Sequence, residues 1–129
     1  MDAVQALADL TEISSQIEAA VLFDEEGSVH GSTLGDDAAA RAFAGAARDL
    51  LERAAGFRSD GGTVTQLEAS TGDGSVFVVH DGVRRIAATT SPEPTVGLVF
   101  YDLKSCLRNA DAEPEEPKRT RRKRADDEA

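Results

Sequence analysis

The chain has 129 residues, of which 40% are apolar and 5% aromatic, with no tryptophan, and its formal net charge is -10. That length favours one domain whose modest core is built from Ala, Val, Leu and Ile, too small for a large internal cavity beside a catalytic cleft. The acidity works against binding to nucleic acid or to anionic membrane surfaces and suits neutral or basic partners.

The charge is unevenly spread. Residues 1–110 hold 8 basic and 17 acidic side chains, a net of -9, whereas residues 111–129 hold 6 and 7, a net of -1. The expected folded part is therefore 1–110, followed by a disordered, mixed-charge tail at 111–129. The single cysteine, Cys106, leaves no intramolecular disulfide and no multi-cysteine metal site, in keeping with a reducing compartment. Met1-Asp2-Ala3 opens no basic and apolar leader, and no window approaches the ~18 apolar residues that span a bilayer. A cytoplasmic protein is the expectation.

In chain order, Ala3, Ala6, Leu7, Leu10, Ile13 and Ile17 fall within about 120° on a helical wheel, so a first helix is expected at about 3–15, with Asp2 as cap and Gln5 three residues on. Residues 19–23 form a short apolar run, read as a strand buried on both faces. Asp24-Glu25-Glu26-Gly27 is turn chemistry, and the more polar residues 28–33 complete a hairpin. Asp36 or Asp37 then caps a long helix at about 37–55, with nine alanines between Ala38 and Ala55 and Gly56 as terminator.

The apolar arc of this second helix spans about 160°, against the roughly 100° that covering one sheet takes. One flank holds Ala39, Phe43, Ala46, Leu50 and Ala54; the other holds Ala40, Ala44, Ala47 and Leu51. The excess implies a second packing partner, and the small side chains permit close approach.

After a polar loop at 58–62, strands are expected at about 63–70, 75–80 and 84–90. They are joined by the turns Thr71-Gly72-Asp73-Gly74 and Asp81-Gly82. Ser91-Pro92-Glu93-Pro94 breaks the sheet. Residues 96–101 have strand propensity. On a helical wheel, however, Val96, Val99, Phe100, Leu103, Cys106, Leu107 and Ala110 share an arc of about 120°, with Asp102, Lys104, Ser105 and Arg108 outside it. The reading is a helix capped by Thr95. The fold class is α+β, ordered α-β-β-α-β-β-β-α: a five-stranded antiparallel sheet flanked by helices on both faces.

These segments, in this order, resemble the Roadblock family (dynein light chain type) over about residues 4–110. The resemblance lies in Leu10-Thr11-Glu12-Ile13, in Ala20-Val21-Leu22-Phe23-Asp24 with Gly27, and in Val64 to Ala69. It continues in Gly74-Ser75-Val76-Phe77-Val78-Val79 and in Val96-Gly97-Leu98-Val99 after a proline-containing loop. It implies a Roadblock/profilin-like architecture. It also implies homo- or heterodimers that join sheets edge to edge and pair their long second helices. Bacterial members of this type often partner small Ras-like GTPases, as regulators of nucleotide state or as scaffolds. The resemblance therefore implies a non-enzymatic dimeric module that binds itself or a related chain and a Ras-like GTPase. The alternative is a scaffold subunit of a signalling or motor-type complex with no GTPase link.

Two features of the residues meet that implication. The flank Ala40, Ala44, Ala47 and Leu51 offers a helix-pairing face. The third strand, with Val64, Gln66 and Glu68 alternating against Thr65, Leu67 and Ala69, offers an open edge whose backbone groups seek partners. Ala40, Ala44, Ala47, Leu51, Val64, Gln66 and Glu68 are the expected dimer interface.

Signatures of chemistry are missing. No lysine follows a glycine, so there is no phosphate-cradling P-loop, and no Gly-x-Ser-x-Gly elbow occurs. His30, His80 and Cys106 lack metal-ligand spacing. Asp24-Glu25-Glu26 reads as a turn and Asp36-Asp37 as a helix cap. No cofactor and no enzymatic activity are expected. Arg84 and Arg85 are either an exposed strand end or a contact to an acidic patch of a partner, and with Arg41 they are candidates, on chemistry only, for an arginine inserted into a GTPase partner's site. The tail runs acidic, basic, acidic. It is either a solvated spacer or an arm whose Arg119, Arg121, Arg122, Lys123 and Arg124 engage an acidic partner, RNA or a membrane surface.

Overall fold

A computed structural model describes residues 2–57 and 63–111. The elements are α1 (Ala3–Ile13), β1 (Ile17–Asp24), β2 (Val29–Ser32), α2 (Asp37–Ala55), β3 (Gln66–Thr71), β4 (Gly74–Asp81), β5 (Arg84–Thr90) and α3 (Val96–Asp111). The five strands form one sheet in the order β2-β1-β5-β4-β3, and every neighbouring pair is antiparallel. The α+β architecture read from the sequence is the one observed, including the helical reading of residues 96–110.

The apolar run of β1 explains the layering. Ala20, Val21, Leu22 and Phe23 are all buried, as are Ile86, Ala87 and Ala88 opposite them on β5. Successive strand residues point to opposite faces, so both faces of the central strands need cover. One face presents Ile17, Ala20, Leu22, Phe77, Val79, Ile86 and Ala88 to α1 and α3. The other presents Val21, Phe23, Val78 and Ala87 to α2. On the first face α1 lies over β1 and β2 while α3 lies over β4 and β5. Phe77 meets Phe100 of α3 edge-on, with ring centroids 5.0 Å apart.

The starts of α1 and α2 follow the expected caps. The Asp2 carboxylate accepts from the Gln5 N–H at 2.8 Å, and that of Asp36 accepts from the Ala38 N–H at 3.1 Å. The ends differ in detail. α1 stops at Ile13, because Ser14 turns to extended backbone while its N–H still reaches the Leu10 carbonyl. Gly56 closes α2 in right-handed rather than left-handed conformation, with φ -68°. β3 begins at Gln66 rather than near residue 63. Gln66 already stands opposite Val79, and β4 ends two residues later at its turn, where the Thr65 carbonyl accepts from the His80 N–H at 2.8 Å. The expected tail, 111–129, lies outside the described residues but for the backbone of Asp111.

Two turns fix the sheet. In the β1–β2 turn Asp24 Oδ1 accepts from the Glu26 and Ser28 N–H groups at 2.9 and 3.0 Å, and Oδ2 lies 3.0 Å from His30 Nε2. Burial pulls the Asp24 pKa upward, but the bond to His30, the two amide bonds and the His30 charge outweigh it, and the net direction is down. In the β3–β4 turn Gly74 has φ +150°, and a Cβ there would stand 2.1 Å from the Thr90 carbonyl oxygen of β5.

Gly74→Ala forces that carbonyl aside and strains the backbone. The expected loss is at least about 2 kcal/mol in denaturant unfolding. For Asp24 the folded pKa lies below the unfolded one, so its stabilisation is present above the unfolded value and disappears as pH falls through the folded one. Asp24→Asn is therefore expected to be less stable than wild type near pH 7. The gap should close below about pH 4, as thermal melts across pH will read.

Candidate functional site

The long helix does have two apolar flanks, and the structure exchanges their roles. Ala40, Ala44, Ala47 and Leu51, expected to face a partner, are buried against Val21, Phe23, Val78 and Ala87 of the same chain. The physical reason is size. Alanines let the helix axis come close to a flat sheet, whereas Phe43 would hold it off. Phe43 and Leu50 instead overhang the seam half-buried, and Ala39 and Ala46 are exposed. The flank left exposed or half-buried is therefore Ala39, Phe43, Ala46 and Leu50.

α2 is also off-centre. It contacts β1, β2 and β5, and its Arg48 reaches the β1–β2 turn, donating to the Glu26 carbonyl at 2.9 Å. The β4–β3 half of that sheet face is left thinly covered. Residues opposite one another across antiparallel strands share a face. Leu67 opposite Val78 and Ala69 opposite Val76 thus belong to the α2 side, and Leu67, Ala69 and Val76 are all half-buried. Phe43 and Leu50 of α2 and Leu67, Ala69 and Val76 of β3 and β4 are half-buried apolar residues on this side of the sheet, and this partly open surface is here called the trough.

β3 lies at the edge of the sheet, with no neighbour on its outer side among the described residues. Of the edge residues picked from the sequence, Gln66 and Glu68 pair with Val79 and Phe77 and so stand on the α1/α3 face, away from the trough. Val64 precedes the strand and packs half-buried on the α2-side core. The trough residues are the alternate set, Leu67 and Ala69. The alternation itself was visible in the sequence; which phase faced α2 was set by the pairing to β4.

Arg84 and Arg85 are half-buried in β5, beside β1, and are not an exposed strand end. Arg85 lines a cavity of about 540 Å³ between the end of α2 and the β1–β2 turn, facing Glu25, Glu26, Glu52 and His80; its Nε is enclosed without a hydrogen-bond partner. Arg84 is engaged within the chain. Arg41 is exposed on α2. Arg119, Arg121 and Arg122 lie outside the described residues.

Comparison with solved structures places this architecture. A Roadblock/LC7 domain from Streptomyces avermitilis superposes with a TM-score of 0.76 at 23% identity, covering 86% of this chain and 96% of that one. MglB of Myxococcus xanthus gives a TM-score of 0.64 at 11% identity, covering 84% of this chain and 82% of its own. The gliding protein MglB from Thermus thermophilus gives 0.63 at 17% identity, covering 84% of each chain. The chain has the Roadblock/LC7 fold. No sequence profile of a known family matches it, and no curated protein matches it by sequence.

In this Roadblock/LC7 fold the histidines and the cysteine are tied into the structure. His30 binds Asp24; the His80 ring nitrogens lie 3.3 and 2.5 Å from the Val64 and Gly82 carbonyls. Among the described residues no three His, Cys, Asp or Glu side chains gather as metal ligands. Cys106 is buried, and its thiol donates to the Ala6 carbonyl at 3.4 Å, tying α3 to α1. Burial, with a smaller contribution from Asp9, pushes that thiol up to about 12. Among the described residues no helix is long and apolar enough to cross a membrane. Sequence reasoning missed Asp102. It lies outside the apolar arc of α3, yet it is 7% exposed, because α1 packs along that side of the helix.

Proposed function

We propose that this chain is a dimeric, protein-binding module without chemistry of its own, which regulates or scaffolds a small Ras-like GTPase in the cytoplasm. The observation that carries the dimer is the trough. Phe43, Leu50, Leu67, Ala69 and Val76 remain partly open along an unpaired strand edge, with exposed Ala39 and Ala46 beside them. A second copy related by a two-fold axis would lay its own α2 against this flank and its own β3 beside this edge. One self-complementary contact of this kind satisfies both the apolar surface and the backbone groups. A stable pairing needs about 800 Å² from each partner, which a 19-residue helix and a six-residue edge strand together can supply.

The link to a GTPase rests on the resemblance of the sequence segments to the Roadblock family and is supported by the likeness of fold to MglB, a protein also described in a tetrameric arrangement. The absence of a phosphate-cradling loop in this sequence assigns nucleotide binding to the partner.

Two substitutions two residues apart on α2, one on its exposed side and one on its buried side, read the dimer. Ala46→Glu puts a carboxylate on the exposed flank and is expected to weaken association at least about tenfold, about 1.4 kcal/mol, with the monomer still folded. Ala44→Glu buries the charge against the sheet and is expected to abolish folding. Light scattering coupled to size exclusion, with circular dichroism, checks both; an Ala46→Glu chain that remains a dimer of wild-type affinity refutes this interface. For the GTPase, purified Ras-like proteins of the same cell, loaded with GDP or a GTP analogue, are expected to bind with different affinities in the two states. Equal failure of both states to bind removes that half of the proposal.

A further inference from the structure

On the face of the sheet opposite the trough, α1 and α3 lie side by side, and a groove of about 220 Å³ runs between them. Its apolar lining includes Leu10 and Ile13 of α1 and Tyr101 of α3, and two of these side chains are unusually open: Ile13 is 72% exposed and Tyr101 64%. Its polar lining includes the carboxylates Asp9 and Asp102 with Asn109, and no Lys or Arg.

Asp102 is the decisive group. It is 7% exposed, and among the described residues it makes no hydrogen bond and no ion pair. Its carboxylate lines the groove, where a cation in hydrogen-bond reach would meet it. An aromatic face and aliphatic walls around paired carboxylates suit a guanidinium or ammonium group on a flexible apolar stem.

From this geometry we infer that the α1–α3 groove is the docking site of the chain's own basic segment, residues 118–124. Six of those seven residues are Lys or Arg, whereas residues 1–110 carry a net of -9. The tether suits the distance. From Asp111, the last residue of α3, an extended chain reaches Lys118 within about 24 Å. Asp102 lies nine helical positions back along α3, about 14 Å. A tethered segment acts at an effective concentration in the millimolar range, ahead of any free basic peptide. The docked arm would cover Tyr101 and Ile13 and leave the trough on the opposite face untouched, so this inference is independent of the dimer.

The chain holds one tyrosine and no tryptophan, so intrinsic fluorescence reports on Tyr101 alone. The test measures quenching of the full chain by acrylamide, a neutral probe. In wild type the quenching constant is expected to be about twofold lower at low salt than at about 1 M NaCl, where the attraction is screened. A chain with Lys118, Arg119, Arg121, Arg122, Lys123 and Arg124 all changed to Gln is expected to show the high, unprotected value at both salts. Asp102→Asn is expected to lose most of the salt dependence while keeping its circular dichroism. Equal quenching of wild type and the neutralised chain at low salt overturns the inference, and this comparison stands even if Asp102→Asn does not fold. A mixing control assigns the arm. A Tyr101→Phe chain with its basic segment intact is added to the neutralised chain, whose Tyr101 is then the only signal. Absence of protection supports docking within one chain; protection gained on mixing hands the groove to a second copy's arm and overturns the assignment.

Discussion

The molecule depends on the double burial of its central strands. Ala20 to Phe23 on β1 and Ile86 to Ala88 on β5 leave no polar face, so a layer of helix must lie on each side of the sheet. The two layers are built differently. On one side two helices divide the width, α1 over β1 and β2 and α3 over β4 and β5. On the other a single helix serves alone, and one helix cannot cover five strands. Strands lie about 4.8 Å apart while a helix with its side chains is about 10 Å across, so α2 covers little more than two. The open trough is the geometric remainder of that mismatch.

The alanine content of α2 sharpens this asymmetry. Ala40, Ala44 and Ala47 allow the helix to sit close on Val21, Phe23 and Ala87, which buries the centre well but leaves no bulk to reach over β4 and β3. Phe43 and Leu50, the large residues, lie on the flank of the helix away from Arg48, which reaches the β1–β2 turn. The same feature that secures the monomer thereby creates an apolar surface of the kind that marks protein–protein contact. The edge strand β3 borders that surface, so the unpaired backbone and the unburied side chains occur together.

The two-helix side has its own incomplete place. α1 and α3 close on each other through Ala6, Leu10, Cys106 and Leu107, with the Cys106 thiol bonded to the Ala6 carbonyl. Above that seam α1 traps Asp102 with no counter-charge among the described residues, in a groove already negative from Asp9. One face of the sheet thus offers apolar surface suited to a copy of the same chain, and the other offers a small acidic groove suited to a basic segment. Each need arises from packing, and neither competes with the other for surface.

Element order was legible in the sequence because it is written in local chemistry. The Asp2 and Asp36 caps, the glycine turns and the 3.6-residue period of residues 96–110 each act within a few neighbouring residues. The surplus apolar width of α2 was legible for the same reason: residue angles within one helix are fixed by its geometry. Which flank of α2 turns inward was decided only by contact with strands distant in the chain, where alanine's small size won the place against the sheet. The phase of β3, with Leu67 rather than Gln66 toward α2, followed from its register with β4. The burial of Asp102 followed from where α1 came to rest. Periodicity specifies the angle between side chains on one element; only packing between elements specifies the rotation of that element against its neighbours.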